Sequence, residues 1–218
     1  LGIHTIKDLA TSNPDILRRE FGVIGLQLWF HANGVDESKI TIPYKAKSKG
    51  YGNSQVLPRD YHNQNEIEIV LREMAEQVAT RIRRKNKKTS QISIYIGFSY
   101  KENKKSIKAQ KTINPTYSTK TLSNEVINLF REKYEGGSVR NIGVSYGKLV
   151  EDNFITYTLF DDIEKLQKQD SLDKTIDEIR DKFGYTSILS GTSLIEGSRV
   201  IERSKLIGGH AGGLDGII

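Results

Sequence analysis

Between Ser90 and Tyr100 the chain alternates with a period of two. Ile92, Ile94, Ile96 and Phe98 fall on one side, and Ser93, Tyr95, Gly97 and Ser99 on the other. Only an extended strand puts every second side chain on one face, so this segment is β-structure with one face on a core and one toward water. The neighbouring elements follow from the same kind of periodicity. Ser54 to Leu57 reads as a short strand stopped by Pro58, which cannot donate to a ladder. Glu66 to Lys85 carries Ile67, Val70, Leu71, Met74, Val78 and Ile82 at helical spacing. Lys108 to Asn114 pairs with the alternating strand across a polar turn. Ser118 to Thr121 caps a second helix, with Leu122, Val126, Leu129 and Phe130 inward. Val139 to Leu149 supplies a last strand with Ile142, Val144 and Tyr146 on its apolar face. The order is βαββαβ: an α+β unit in which two helices cover one face of a four-stranded sheet. The uncovered face then carries Ser93, Tyr95, Ser99, Lys108, Gln110, Thr112, Asn141 and Ser145. It is small, polar and partly basic. It can approach a nucleic-acid backbone closely and hydrogen-bond phosphates, but has few long side chains for reading bases.

Charge points the same way. From Arg72 to Lys111 there are twelve Lys/Arg and three acids, within a chain of net charge +6. A cationic excess on one small unit marks a surface that meets polyanions. From Glu151 to Lys182 the balance reverses, with ten acids and five bases. The basic unit and the acidic tail are therefore expected to do different jobs.

Residues 1–43 read as short helices. Asn13-Pro14 starts one, and Gly22-Val23-Ile24-Gly25 reads as a tight hairpin before a helix from Leu26 to Ala32 that Asn33-Gly34 ends. The pattern fits either a helix-hairpin-helix unit, whose glycines admit a phosphate to free N–H groups, or a plain αα-corner. Residues 44–53 form a basic linker in which Lys45, Lys47 and Lys49 alternate with small residues. Residues 54–150 are the βαββαβ domain and 151–218 the acidic tail. In that tail Asp170-Ser171 reads as the cap of a helix with Leu172, Ile176, Ile179 and Phe183 on one side.

Several function classes lose support. The chain has no cysteine, so disulfides and thiolate metal sites are excluded. Its four histidines are scattered, with no metal-ligand spacing. No apolar run approaches a membrane span and no signal peptide is visible, so a cytoplasmic protein without a membrane partner is expected. The βαββαβ order also occurs in RNA-recognition modules, but those need paired aromatics on central strands. Here Tyr95 is the one aromatic on the exposed side of its strand.

Four segments resemble a known family. Val139-Arg140-Asn141-Ile142-Gly143-Val144-Ser145 is similar to the last strand of the little-finger domain of Y-family translesion DNA polymerases. Gly52-Asn53-Ser54-Gln55-Val56-Leu57-Pro58-Arg59-Asp60 is similar to its first strand, although Gly50-Tyr51-Gly52-Asn53 stands where the family usually has Ser-Ile-Gly-Asn. Gly2 to Leu9 and Phe21 to Gly34 resemble the thumb. Arg203-Ser204-Lys205-Leu206-Ile207-Gly208-Gly209-His210 resembles the UmuC/UvrX-like branch, also called ImpB/MucB/SamB. The resemblance implies a thumb remnant (1–43), a little finger (54–150) and a tail (151–218) that grip a primer-template duplex during error-prone synthesis in SOS damage tolerance. DNA contacts are then expected from Lys45, Lys47, Lys49, Gly52, Asn53, Ser54, Arg59, Ser93, Tyr95, Lys108, Gln110, Thr112, Arg140, Asn141 and Ser145. Arg83, Arg84, Lys85, Lys87 and Lys88 would add electrostatic attraction. Thr156-Tyr157-Thr158-Leu159-Phe160 resembles the family's sliding-clamp-binding pentapeptide, in which Leu and Phe fill an apolar pocket of the clamp.

The family's nucleotidyl transfer uses paired carboxylates on palm strands that hold two metal ions. Nothing in this sequence matches them. Asp161-Asp162 precede a helical pattern and read as helix N-terminal acids. No catalytic residue, metal ligand or cofactor is expected here, and magnesium belongs to the palm of a parent polymerase. Two other readings stand beside this one: a nucleic-acid-binding adaptor with no polymerase parent, and a small enzyme on the βαββαβ domain. The scattered histidines and missing cysteines argue against the enzyme.

Overall fold

The computed structural model describes residues 1–36, 41, 50–152 and 162–205. They fall into two units, Leu1–Ala46 and Lys47–Ile218.

The first unit consists of α1 (Ile6–Thr11), α2 (Pro14–Phe21) and α3 (Val23–Ala32). Each start is written in the sequence. Thr5 and Asp8 form a reciprocal capping box around α1, and Asn13 caps α2 with Pro14 in its first turn. The Gly22 to Gly25 segment departs from expectation. Gly22 alone makes the turn, at φ +64°, and α3 already begins at Val23. Gly25 lies inside that helix, buried where α3 crosses α2. A Cβ there would stand 2.2 Å from the carbonyl oxygen of Leu17. Its N–H donates to Gly22 O (3.1 Å). The glycine therefore serves helix packing and is not held open for a phosphate, which favours the plain αα-corner. Trp29 Nε1 donates to Ser12 O (3.0 Å), and Asn33 Nδ2 to Ala10 O (3.1 Å), tying α3 back to the α1 end.

In the second unit β1 (Tyr51–Tyr61), α4 (Gln64–Arg83), β2 (Lys87–Phe98), β3 (Ile107–Thr116), α5 (Thr119–Lys133) and β4 (Val139–Glu151) follow the expected βαββαβ order. The sheet is antiparallel throughout, with strand order β1-β4-β2-β3. Asn63 and Ser118 cap α4 and α5. Both helices lie on one face, over Ile92, Ile94, Ile96, Ile142, Val144 and Tyr146, all buried. Tyr146 is fully enclosed and donates to Ala75 O (2.9 Å); burial pushes its hydroxyl pKa well above normal. Two details differ from expectation. β1 runs through Pro58 because it is an edge strand, where a missing N–H costs no ladder bond, and the register breaks between Val56 and Tyr61. Ser99 is buried beyond the end of β2, its N–H donating to Ser138 O (2.8 Å), and so leaves the open face.

The described part of the acidic tail packs onto this sheet and its helices. After α6 (Ile163–Phe183) come two 3-10 turns, Tyr185–Ser187 and Gly191–Leu194, and α7 (Val200–Ser204). Asp162 caps α6, so Asp170-Ser171 lies mid-helix; Asp170 accepts from Tyr117 Oη and Lys174 Nζ instead of capping. The helix docks through its polar side. Asp173, Asp177 and Arg180 are buried, while Leu166, Leu172 and Phe183 stay exposed. Arg83 Nε donates to Asp177 (2.7 Å), Arg84 pairs with Asp181, and Arg180 Nη1 reaches Glu76 (2.6 Å). Lys87 and Lys88 pair with Glu151 and Asp152. The basic and acidic stretches thus meet within one unit through ion pairs. Much of the cationic end of α4 and β2 is neutralised within the chain, because the fold brings acids distant in sequence into ion-pair range of these bases.

Candidate nucleic-acid interface

The strand register lays the uncovered sheet face out as rows crossing β1, β4, β2 and β3. One row is Gly52, Ser145, Ser93 and Gln110. The next is Ser54, Gly143, Tyr95 and Lys108. Beyond these lie Val56, Asn141 and Gly97 on one side, and Gly147, Gln91 and Thr112 on the other. Glycine and serine dominate β1 and β4, so the floor is low there. A Cβ on Gly52 would come within 2.9 Å of Ser145 Cβ, and one on Gly97 within 2.8 Å of Asn141 Cβ. Tyr95 and Lys108 rise beside this floor, and the residues between them enclose a shallow depression.

The polar groups on this face have unspent capacity. Among the described residues, the side chains of Ser54, Ser93, Tyr95, Lys108, Gln110, Thr112, Asn141 and Ser145 make no hydrogen bond or ion pair. Exposed hydroxyls, amides and one lysine on a flat backbone-rich surface suit a ligand made of repeated phosphates, since each can donate to an oxygen without steric obstruction.

Other expected contacts fall elsewhere. Asn53 alternates to the helix side of β1, and its Nδ2 donates to Gln77 Oε1 (2.8 Å). Arg59 sits where the register breaks and makes two hydrogen bonds to Glu66, at 3.2 and 2.8 Å, which hold its guanidinium protonated even more firmly than usual. Arg140 is the extra residue of a β4 bulge, skipped between the Asn141 and Val139 pairings, and lies 3.7 Å from Asp60. Among the basic helix-end residues, Arg83, Arg84, Lys87 and Lys88 are engaged by acids as described above. Lys45, Lys47, Lys49 and the pentapeptide Thr156 to Phe160 lie outside the described residues. Gln91, Gly97, Gly143 and Gly147 belong to the face and were missed as site residues. The alternation Asn141, Gly143, Ser145, Gly147 was the available signal, with every second residue of β4 small or polar.

Residues 48–159 match the C-terminal domain of the impB/mucB/samB family. The chain belongs to that family. It is the C-terminal region of a Y-family polymerase type, with the α+β little-finger sheet described above. UvrX of Bacillus subtilis (strain 168), whose name ties it provisionally to UV-damage repair, is 37% identical over 96% of this chain and 50% of its own length. DNA polymerase IV 2 of the same organism is 34% identical over 96% of this chain and 51% of its own. The DNA repair protein homolog YobH, also from Bacillus subtilis, is 38% identical over 62% of this chain and 63% of its own length. The chain thus spans about half the length of the first two relatives. Among the described residues, no helix is long and apolar enough to cross a membrane, and no three His, Cys, Asp or Glu side chains cluster as a metal site would require.

Proposed function

We propose that this chain is the DNA-gripping part of an error-prone translesion polymerase acting in DNA repair and damage tolerance. The open sheet face lies along the primer-template backbone without strong sequence preference. The observation that carries this is the lattice of unpartnered polar side chains, Ser54, Ser93, Tyr95, Lys108, Gln110, Thr112, Asn141 and Ser145, on a floor lowered by glycine. Names of the relatives, DNA polymerase IV among them, support the polymerase parent. In this reading residues 1–43 act as thumb, 44–53 as a linker whose Lys45, Lys47 and Lys49 follow the backbone, and Thr156 to Phe160 as the clamp-binding segment. Nucleotidyl transfer with magnesium belongs to a palm that this chain's residues do not supply.

The test is fluorescence anisotropy on a primer-template duplex across a salt series, with RNA and unrelated duplexes as competitors. Sequence-independent binding that weakens steeply with salt is expected, and Lys108→Gln should lower the salt slope by about 1. Binding that is flat with salt, or a Lys108→Gln slope equal to wild type, would refute the reading. Clamp engagement is read separately, by the loss of clamp binding in Leu159→Ala/Phe160→Ala.

A further inference from the structure

On the other side of the β1 edge from the open face, α4, β1, the end of α6 and α7 enclose a cleft of about 550 Å³. Four guanidinium groups line it, from Arg81, Arg84, Arg180 and Arg203, together with Gln77 and Tyr185. Among the described residues, no carboxylate lines it. The arginines differ in how far they are already compensated. Arg84 pairs with Asp181, and Arg180 with Glu76. Among the described residues, Arg81 Nη1 donates only to the carbonyl of Gly52 (2.9 Å), with the guanidinium 5.3 Å from the centre of the Tyr51 ring. Arg203 Nη1 is buried without a hydrogen-bond partner among the described residues. Glu73 acts on Arg203 through its charge, while its oxygens accept from Ser198 Oγ (2.5 Å) and the Arg199 N–H (3.0 Å).

A guanidinium donor removed from water and left unmade is costly, so a chain holding one there has a use for it. Arg81, with no ion pair among the described residues, and Arg203, with a donor left unmade, present planar forks beside the Gln77 amide, which match the oxygens of a phosphate better than a single carboxylate. We propose that this cleft binds a phosphate group, with Arg203 and Arg81 as its principal ligands. Gly52 forms part of the wall of both the cleft and the open-face depression. A phosphate held here sits one strand edge away from a duplex on the open face. The same chemistry would also take the phosphate of a free nucleotide.

The full chain, with arginine side chains labelled for NMR, is titrated with inorganic pyrophosphate and, separately, with duplex DNA. Pyrophosphate should move the Nε–Hε signals of Arg203 and Arg81. Arg203→Gln should weaken its binding by about ten-fold or more, while the distant surface change Lys120→Gln should not. If the duplex moves the same signals and Arg203→Gln lowers its salt slope by about 1, the phosphate is a backbone phosphate. If pyrophosphate alone does so, it belongs to a free ligand. The proposal is overturned if neither probe moves the Arg203 and Arg81 signals, a result readable on wild-type protein even if the variant fails to fold. Equal losses from Arg203→Gln and Lys120→Gln would overturn it as well. The pyrophosphate arm involves no DNA, so failure here and failure of the open-face reading are distinguishable.

Discussion

Arg83 and Asp177, 94 residues apart, form a largely buried ion pair, Nε to Oδ2 at 2.7 Å and Nη2 to Oδ1 at 3.0 Å. The same guanidinium donates to Tyr117 O and Thr119 Oγ1, both at 2.8 Å, and Asp173 lies 3.6 Å away. This one residue ties α4, the start of α5 and α6 together. Asp177→Ala would leave the Arg83 charge buried with a weaker partner, at a cost of about 3–5 kcal/mol to α6 docking. Hydrogen exchange should show residues 163–183 losing protection while the sheet amides keep theirs. Uniform loss across the sheet, or none in α6, would contradict the pairing.

Glu68 supplies a pH handle at the opposite end of α4. Burial disfavours its ionised form, but hydrogen bonds from Arg131 Nε (2.7 Å) and Nη2 (2.6 Å), with one from Gln64, outweigh burial and hold its carboxyl below the usual range. A carboxyl that binds its proton less tightly folded than unfolded stabilises the fold above its unfolded pKa of about 4.3, and that contribution disappears as pH falls through the lower folded value. Urea midpoints measured from pH 6 down to pH 3 should therefore fall less steeply for Glu68→Gln than for wild type. Parallel slopes would show that the pair contributes nothing to acid sensitivity.

The helix-crossing glycine gives a test confined to the first unit. Gly25→Ala places a Cβ against the Leu17 carbonyl at 2.2 Å, so α2 and α3 must separate, at a cost of about 1–3 kcal/mol. Trp29 is the single tryptophan and is hydrogen-bonded to Ser12, so its fluorescence reports this unit alone. Its thermal midpoint should drop while the sheet's circular dichroism transition stays put.

The βαββαβ order could be read in advance because each element has its own local period. Ile92, Ile94 and Ile96 alternate, while Ile67, Val70, Leu71 and Met74 recur at helical spacing, and neither pattern needs distant information. What escaped depends on partners far along the chain. The charge of Arg83 or Lys88 looks like a phosphate magnet until Asp177 and Asp152 are folded against them. Asn53 lies in the right strand, yet the pleat turns it toward Gln77. The helical stripe of Leu172 and Phe183 suggests a buried face, yet α6 is held by Asp173, Asp177 and Arg180 on its other side. Periodicity identifies which residues share a face; it does not say which face the rest of the chain will cover.

The open face can be separated from its neighbours by three single substitutions. Ser145 is exposed, in the row with Gly52, Ser93 and Gln110, and its hydroxyl makes no hydrogen bond among the described residues. Ser145→Glu should change stability by no more than about 0.5 kcal/mol. On DNA it sets a carboxylate against the backbone, and affinity should fall by about ten-fold or more at low salt, recovering partly as salt screens the repulsion. Arg59→Gln is the contrast. Its guanidinium is already committed to Glu66, so the loss should stay within about two-fold. Tyr95→Phe removes only a hydroxyl from the same face and should cost about 0.5–1.5 kcal/mol of binding if that hydroxyl donates to a phosphate. Anisotropy at two salt concentrations ranks the three. An Arg59→Gln defect equal to that of Ser145→Glu would move the interface off the open face and onto the β1 bulge.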